Sequence, residues 1–174
     1  MLKLLSLPFK DSCMEFLDIV DKNDNVIGRA SKDDIYKNSF CHRIVHVLIF
    51  DDNGKMVLQK RSSEVSFCPD HWSTSAGGHV QAGETCEVAG LREYEEELGT
   101  KSDLELVGKD YYEAGGTPNK FLYIFKTRFN GPFKPDARVV SEIGVFDIEE
   151  IKKMIASGEK FHPEFLFILN KYYL

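Results

Sequence analysis

The chain has little of what marks membrane, secreted or nucleic-acid-coating proteins. No apolar run approaches the roughly 20 residues that a membrane helix needs. The opening MLKLLSLPFKDSC has only a short apolar patch before Lys10 and Asp11, too short for a secretory signal. Lys and Arg number 22 against 28 Asp and Glu, a formal charge of −6. Broad, sequence-independent nucleic-acid binding draws its affinity from cationic side chains releasing counterions, so this balance argues against it. Cys13, Cys41, Cys68 and Cys86 are scattered and form no C-x-x-C pair, and a chain of this size holds together without staples, so they are read as reduced thiols. Cys41, His42, Cys68, His71 and His79 lack the spacing of a zinc finger or ribbon. Low-complexity tracts and internal repeats are missing too. These absences point to a cytoplasmic protein with neither a membrane nor a nucleic-acid partner.

What is present is the profile of a globular domain. Of 174 residues, 43% are hydrophobic and 29% charged, with 13 Phe, enough for one core and short for two. Phe16 to Asp21 and Val26 to Ala30 flank the turn KNDN as a lead-in hairpin, and Ser31 with Asp34 resembles a capping box. HRIVHVLIF and KMVLQKR flank DDNG, a hairpin signal, and the unbroken apolar character of the first predicts a central strand covered on both faces. A loop rich in Ser, Cys and Pro follows from Ser62. Strands near Leu104 to Tyr112 and Lys120 to Phe129 are joined by Gly-Gly-Thr-Pro, and two helices start after Asp147 and at Pro163. The fold class is therefore α/β.

Between these elements lies GGHVQAGETCEVAGLREYEEELG, with Glu93, Glu95, Glu96 and Glu97 almost side by side. Thr85 can cap a helix there, Glu87 suits its positive end, and Gly99 can end it in a left-handed turn. At about 100° per residue, Val88, Leu91, Glu95 and Leu98 fall on one side with Tyr94 at its edge, while Ala89, Arg92, Glu93, Glu96 and Glu97 gather on the other. This predicts an apolar back and an acidic front. Carboxylates three and four residues apart repel by ~0.2–0.5 kcal/mol per pair unless a cation neutralises them. Mg²⁺, a hard ion that takes carboxylates, phosphate oxygens and waters, suits that front, with Mn²⁺ as a substitute.

The spacing is specific. Gly78, five residues, Glu84, seven residues, then Arg92-Glu93-x-x-Glu96-Glu97-x-Gly99 resembles the Nudix signature at all its fixed letters, a match expected by chance at about 10⁻⁷ for such a chain. Tyr94 and Thr100 replace aliphatic residues at two apolar positions. The resemblance implies an α/β/α sandwich with a mixed sheet and an N-terminal hairpin extension, and hydrolysis of a nucleoside diphosphate linked to another moiety. It implies that Glu93, Glu96 and Glu97 hold the metal with the Gly78 carbonyl, that Arg92 orients Glu93, and that Glu84 and Gly99 shape the motif. Glu142, in SEIGVFDIEE, resembles a further glutamate that relatives bring to the metal from a loop before the last strand. Lys60 and Arg61 are placed to reach substrate phosphate, and Trp72, with Phe67, to stack on a base. The partner implied is a small nucleoside diphosphate derivative; the sequence leaves monomer or homodimer open.

The flanks, DIVDKNDNVIGRA, HRIVHVLIF and Trp72, resemble the isopentenyl diphosphate isomerase-like branch from about Glu15 onward. Residues 15–174 are thus read as the domain. Residues 1–14 are read as an extension, non-native or disordered, with Met14 as the expected start. Isomerases of this branch use a Cys in T-N-x-x-C-G-H; the corresponding run here is Ser73-Thr74-Ser75-Ala76-Gly77-Gly78-His79, with Gly77 at the Cys position. His42 is retained, but Lys37 stands where a further metal histidine is wanted. A glycine cannot protonate an alkene, so hydrolysis is preferred, with isomerisation and a non-catalytic binding module as the alternatives.

Overall fold

The computed structural model describes residues 14–113 and 115–174. The reading of residues 1–14 as an extension lies outside that range, apart from the exposed Met14. β1 (Phe16–Val20) and β2 (Val26–Ser31) form an antiparallel hairpin, and the Ser31 side chain accepts from the Asp34 amide to start α1 (Lys32–Lys37). β3 (His42–Phe50) runs parallel to β8 (Lys120–Arg128) over its whole length, and β8 pairs antiparallel with β7 (Glu105–Tyr112). β4 (Met56–Arg61) touches β3 only through Ile49↔Val57 and Phe50↔Met56. Beyond that point the two strands part. β3 turns to β6 (Ala76–His79), while β4 takes β5 (Trp72–Ser73) and β9 (Val140–Phe146). The result is a mixed sheet split at one end.

Alternation along β3 and β8 decides what lies on each face. Val45, Val47 and Ile49 pack with Phe125 toward α2 (Cys86–Leu98), meeting Ala89, Tyr94 and Leu98. Ile44, Leu48, Leu122 and Ile124 pack on the opposite face against α3 (Ile148–Ala156) and α4 (Pro163–Tyr172), meeting Ile151, Phe165 and Ile168. Each such side chain removed from water contributes about 1.5–3 kcal/mol. The sheet between helices on both faces is the sandwich predicted from the sequence.

α2 begins and ends as its capping residues dictate. Thr85 accepts from the Val88 amide, and Gly99 adopts φ 67°. Its seating differs from the predicted one. Val88 is 52% exposed and Glu95 is exposed, whereas Ala89, Gly90, Tyr94, Glu97 and Leu98 are buried. The reason is shape: a Cβ on Gly90 would lie 3.0 Å from Leu104 Cδ1 and 3.6 Å from Phe125 Cδ2. Two small residues let the helix approach the sheet closely, and Tyr94 fills the space beside them. The acidic front is therefore split, with Glu93 and Glu97 turned inward and Glu96 outward. β5 and β6 fall where a loop was expected, because their Ser- and Gly-rich segments have weak strand propensity and are held by neighbouring strands.

Candidate active site

The split between β3 and β4 opens into a cavity of about 690 Å³. Glu93 and Glu97 from α2, Gln59 and Arg61 from β4, and Gly77, Gly78 and His79 from β6 all line it.

Arg92 organises the α2 wall. Its guanidinium donates to both oxygens of Glu84 at 2.8 and 3.0 Å, to Glu93 Oε1 at 2.7 Å and to the His79 carbonyl at 3.0 Å. Glu84 also accepts from the Gln81 amide at 2.9 Å, which ties the entering loop to the helix. The Glu84 hydrogen bond, then the nearby Glu93 charge, raise the Arg92 guanidinium above its ordinary value despite burial. Glu93 lies against Gly78, where a Cβ would overlap its carboxyl group. Burial pushes the Glu93 carboxyl up, opposed by Arg92.

Glu97 is the more deeply buried acid. Its Oε2 accepts from Gln59 Nε2 at 2.8 Å and from the Gly77 amide at 3.1 Å. Burial, followed by repulsion from Glu93, pushes it up to about 8. Gln59 Oε1 is buried and has no hydrogen-bond partner among the described residues. Two carboxyl groups one turn apart and an orphaned amide oxygen are a hard-oxygen donor set, so the residues present fit a divalent cation such as Mg²⁺. Glu96, by contrast, keeps 60% of its side chain exposed and touches Arg92 at 3.4 Å. Among the described residues no three His, Cys, Asp or Glu side chains stand grouped to hold a metal ion.

Two expected substrate contacts, Trp72 and Lys60, and one expected metal-site glutamate, Glu142, need correction. Trp72 is 4% exposed and packs edge-on against Phe146 in the α3/α4 core, so its ring is not free to stack on a base. Lys60 sits 5.5 Å over that Trp72 ring, outside the cavity lining, because period-two alternation turns it away from the face that Gln59 and Arg61 share. Glu142 lies within β9, exposed and opposite Lys60, not in a loop beside the acids. Arg61 and Phe67 do line the cavity. Gly99 closes α2, with its amide on the Glu95 carbonyl at 2.9 Å.

Gly77 has no room for a side chain. A Cβ there would lie 2.7 Å from the Val45 carbonyl oxygen and 3.2 Å from His46 Nδ1. His42 and His79 stack with ring centroids 5.5 Å apart, and Tyr36 Oη meets His79 Nε2 at 2.9 Å. Burial pushes His42 down to about 4 and His79 well below its ordinary value.

Sequence reasoning missed Gln59 and a polar group on the other wall. Glu164, in the first turn of α4, receives His46 Nε2 at 2.9 Å and Lys120 Nζ at 2.8 Å, and His46 Nδ1 meets Thr74 Oγ1 at 2.9 Å. All four are buried. A signal existed: His46 interrupts the apolar run 44–49 of β3, and Lys120 directly precedes the apolar run 121–125 of β8.

The NUDIX domain model matches residues 41–167. An isopentenyl-diphosphate Delta-isomerase of Photorhabdus laumondii is 36% identical over 119 residues, 68% of this chain and 67% of that protein. A Nudix hydrolase of Streptomyces coelicolor is 32% identical over 150 residues, 85% of this chain and 83% of that one. Among solved structures, a Deinococcus radiodurans protein superposes with a TM-score of 0.80 at 24% identity, covering 92% of this chain and 100% of that chain. The NUDIX domain of a Shewanella oneidensis protein, crystallised with ADP ribose, gives 0.58 at 13% identity, covering 73% and 82%.

Proposed function

Because this chain belongs to the Nudix family, we propose that it hydrolyses a diphosphate linkage in a nucleoside diphosphate joined to another moiety, with Mg²⁺ or Mn²⁺ as cofactor. The observation that carries this reading is the pair Glu93 and Glu97, one turn apart in a single cavity, with Arg92 directly paired to Glu93 and no basic side chain hydrogen-bonded to Glu97 among the described residues. Two acids so placed can both ionise only if a cation balances them, and burial strengthens that requirement.

Glu93, Glu97 and the Gly78 carbonyl would hold the ion, with Glu96 joining from the solvent side. Once bound, the ion would supply charge screening at the phosphates and lower the pKa of a water. This chain's own residues do the rest. Arg92 fixes the direction in which Glu93 presents its oxygens. Gln59 and the Gly77 amide hold Glu97 in place, so that its carboxyl group stays directed into the cavity beside Glu93. Arg61 offers a planar donor fork to phosphate oxygens inside the cavity.

The isomerase name among the relatives keeps double-bond isomerisation as a second reading. The missing acid at Gly77, and the lack of space for one, weigh against it. A panel of nucleotide sugars, dinucleoside polyphosphates, coenzymes and nucleoside triphosphates with and without Mg²⁺, run beside isopentenyl diphosphate, tests both. Metal-dependent release of a nucleoside monophosphate or phosphate is expected. Metal-independent turnover, or conversion to the dimethylallyl isomer alone, would overturn the reading.

A further inference from the structure

The wall of the cavity opposite α2 is built from charge in a place where apolar packing would serve as a brace. Lys120 keeps only 4% of its side chain exposed, and Glu164 is its one hydrogen-bond partner among the described residues. An ammonium has three N–H donors. Taking a Lys–Glu pair out of water costs several kcal/mol per ion before attraction repays it, so a pair kept only to dock a helix is poorly explained. Yet Lys120, Glu164, His46 and His162 all line the cavity.

The hydrogen bonds already made along this wall set what it can offer. The Glu164 carboxylate is already engaged, accepting from Lys120 at one oxygen and His46 at the other. Burial pushes its carboxyl up, but the His46 hydrogen bond and the fields of His46 and Lys120 outweigh that and hold it below the usual range. His162 caps α4 by accepting the Glu164 amide at Nδ1, and burial pushes it down to about 3. Its ring is therefore neutral and carries its proton on Nε2. Arg61 donates Nε–H to the Phe67 carbonyl, and its two terminal nitrogens have no hydrogen-bond partner among the described residues. Lys120, His162 and Arg61 thus present donors to the cavity, while each oxygen of the adjoining Glu164 carboxylate is already engaged by Lys120 or His46. A wall of donors carrying two fixed cations is a receptor for an anion.

We propose that Lys120, held in place by Glu164 and assisted by His162 and Arg61, forms an anion subsite that takes a phosphate group of the substrate other than the one approached by Glu93 and Glu97. Gly77 stands between the two walls: its amide donates to Glu97, and His46 flanks the position of its absent Cβ. The substrate then spans both, with its scissile linkage at α2 and a second phosphate at α4. Only the placement of the scissile linkage rests on the hydrolase reading.

The test uses no metal and no turnover, so its outcome is independent of whether hydrolysis is found. Full-length protein with ¹⁵N-labelled lysine is titrated with inorganic phosphate in Mg²⁺-free buffer, against chloride at equal ionic strength, following the lysine Nζ resonances. A saturable shift of the Lys120 signal is expected, assigned by its loss in Lys120→Arg as well as in Lys120→Met. Calorimetric phosphate affinity should fall about tenfold or more in Lys120→Met, the size of a lost charge-assisted hydrogen bond, and stay within about threefold in Lys120→Arg. If Lys120→Met does not fold, the wild-type resonance decides. No saturable response in the wild type, a response to chloride alone, or full affinity in Lys120→Met overturns the proposal.

Discussion

The Gly77 amide donates to Glu97 Oε2 across 3.1 Å, and the same glycine leaves no space for a Cβ beside Val45 and His46. One backbone position therefore holds an acid of the site and excludes the cysteine that an isomerase would carry there. Gly77→Ala and Gly77→Cys should each destabilise the fold by about 1–3 kcal/mol, the usual cost of overpacking. Urea unfolding measures this. Gly77→Cys should gain no isomerisation of isopentenyl diphosphate.

Glu97 gives the metal-free protein a specific pH dependence. Its carboxyl is raised from 4.5 to about 8 in the folded state. Between those values the native protein holds a proton that the unfolded chain has lost, so Glu97 makes stability fall as pH rises through that window. Thermal melts of metal-free wild type should show this decline, and Glu97→Gln should flatten it. Mg²⁺, which favours the ionised form, should raise the melting temperature more above pH 8 than below pH 4.5. The same substitution should lower hydrolysis by more than about a hundredfold.

Arg92 bridges Glu84, Glu93 and the His79 carbonyl through a planar fork. Lysine keeps the charge but cannot make this set of bonds. Arg92→Lys should weaken Mn²⁺ binding, read by calorimetry or paramagnetic relaxation, and cost about 1.5–3 kcal/mol of stability.

Gly90 is tight but not closed. Its Cβ would press on Leu104 Cδ1 at 3.0 Å, the far end of a flexible side chain. Gly90→Ala gains about 1 kcal/mol of helix propensity against a small repacking cost, so it should be neutral to slightly stabilising, whereas Gly90→Leu should destabilise by 1–3 kcal/mol on the order typical of overpacking. Denaturant midpoints separate the two.

Glu142 and Trp72 should respond in opposite ways to what their sequence positions suggest. Glu142→Gln, on the exposed side of β9, should change hydrolysis by no more than about twofold. Trp72→Ala should cost about 3–5 kcal/mol of stability, because the ring is core.

The acidic helix was legible because capping residues and fixed spacing are local properties. Thr85, Gly99 and the Glu84–Arg92–Glu93 relation all lie within a few turns of one another, and the structure brings them into contact. The faces of that helix were misread for an equally physical reason. Hydrophobic periodicity assumes that the apolar side seeks the core, whereas at Ala89 and Gly90 small size, not hydrophobicity, sets the contact.

By itself, then, the sequence determined the family, the order of the helices and of the strands other than β5, β6 and β9, and which acids belong to one motif, since each is encoded over short chain distances. Only tertiary structure decided that Glu97 is buried against Gln59 and Gly77, that Glu96 faces solvent, and that Lys120 meets Glu164 from 44 positions away. Such pairings arise from the parting of β3 and β4 and the docking of α4, and burial there sets the charge states that no local pattern carries.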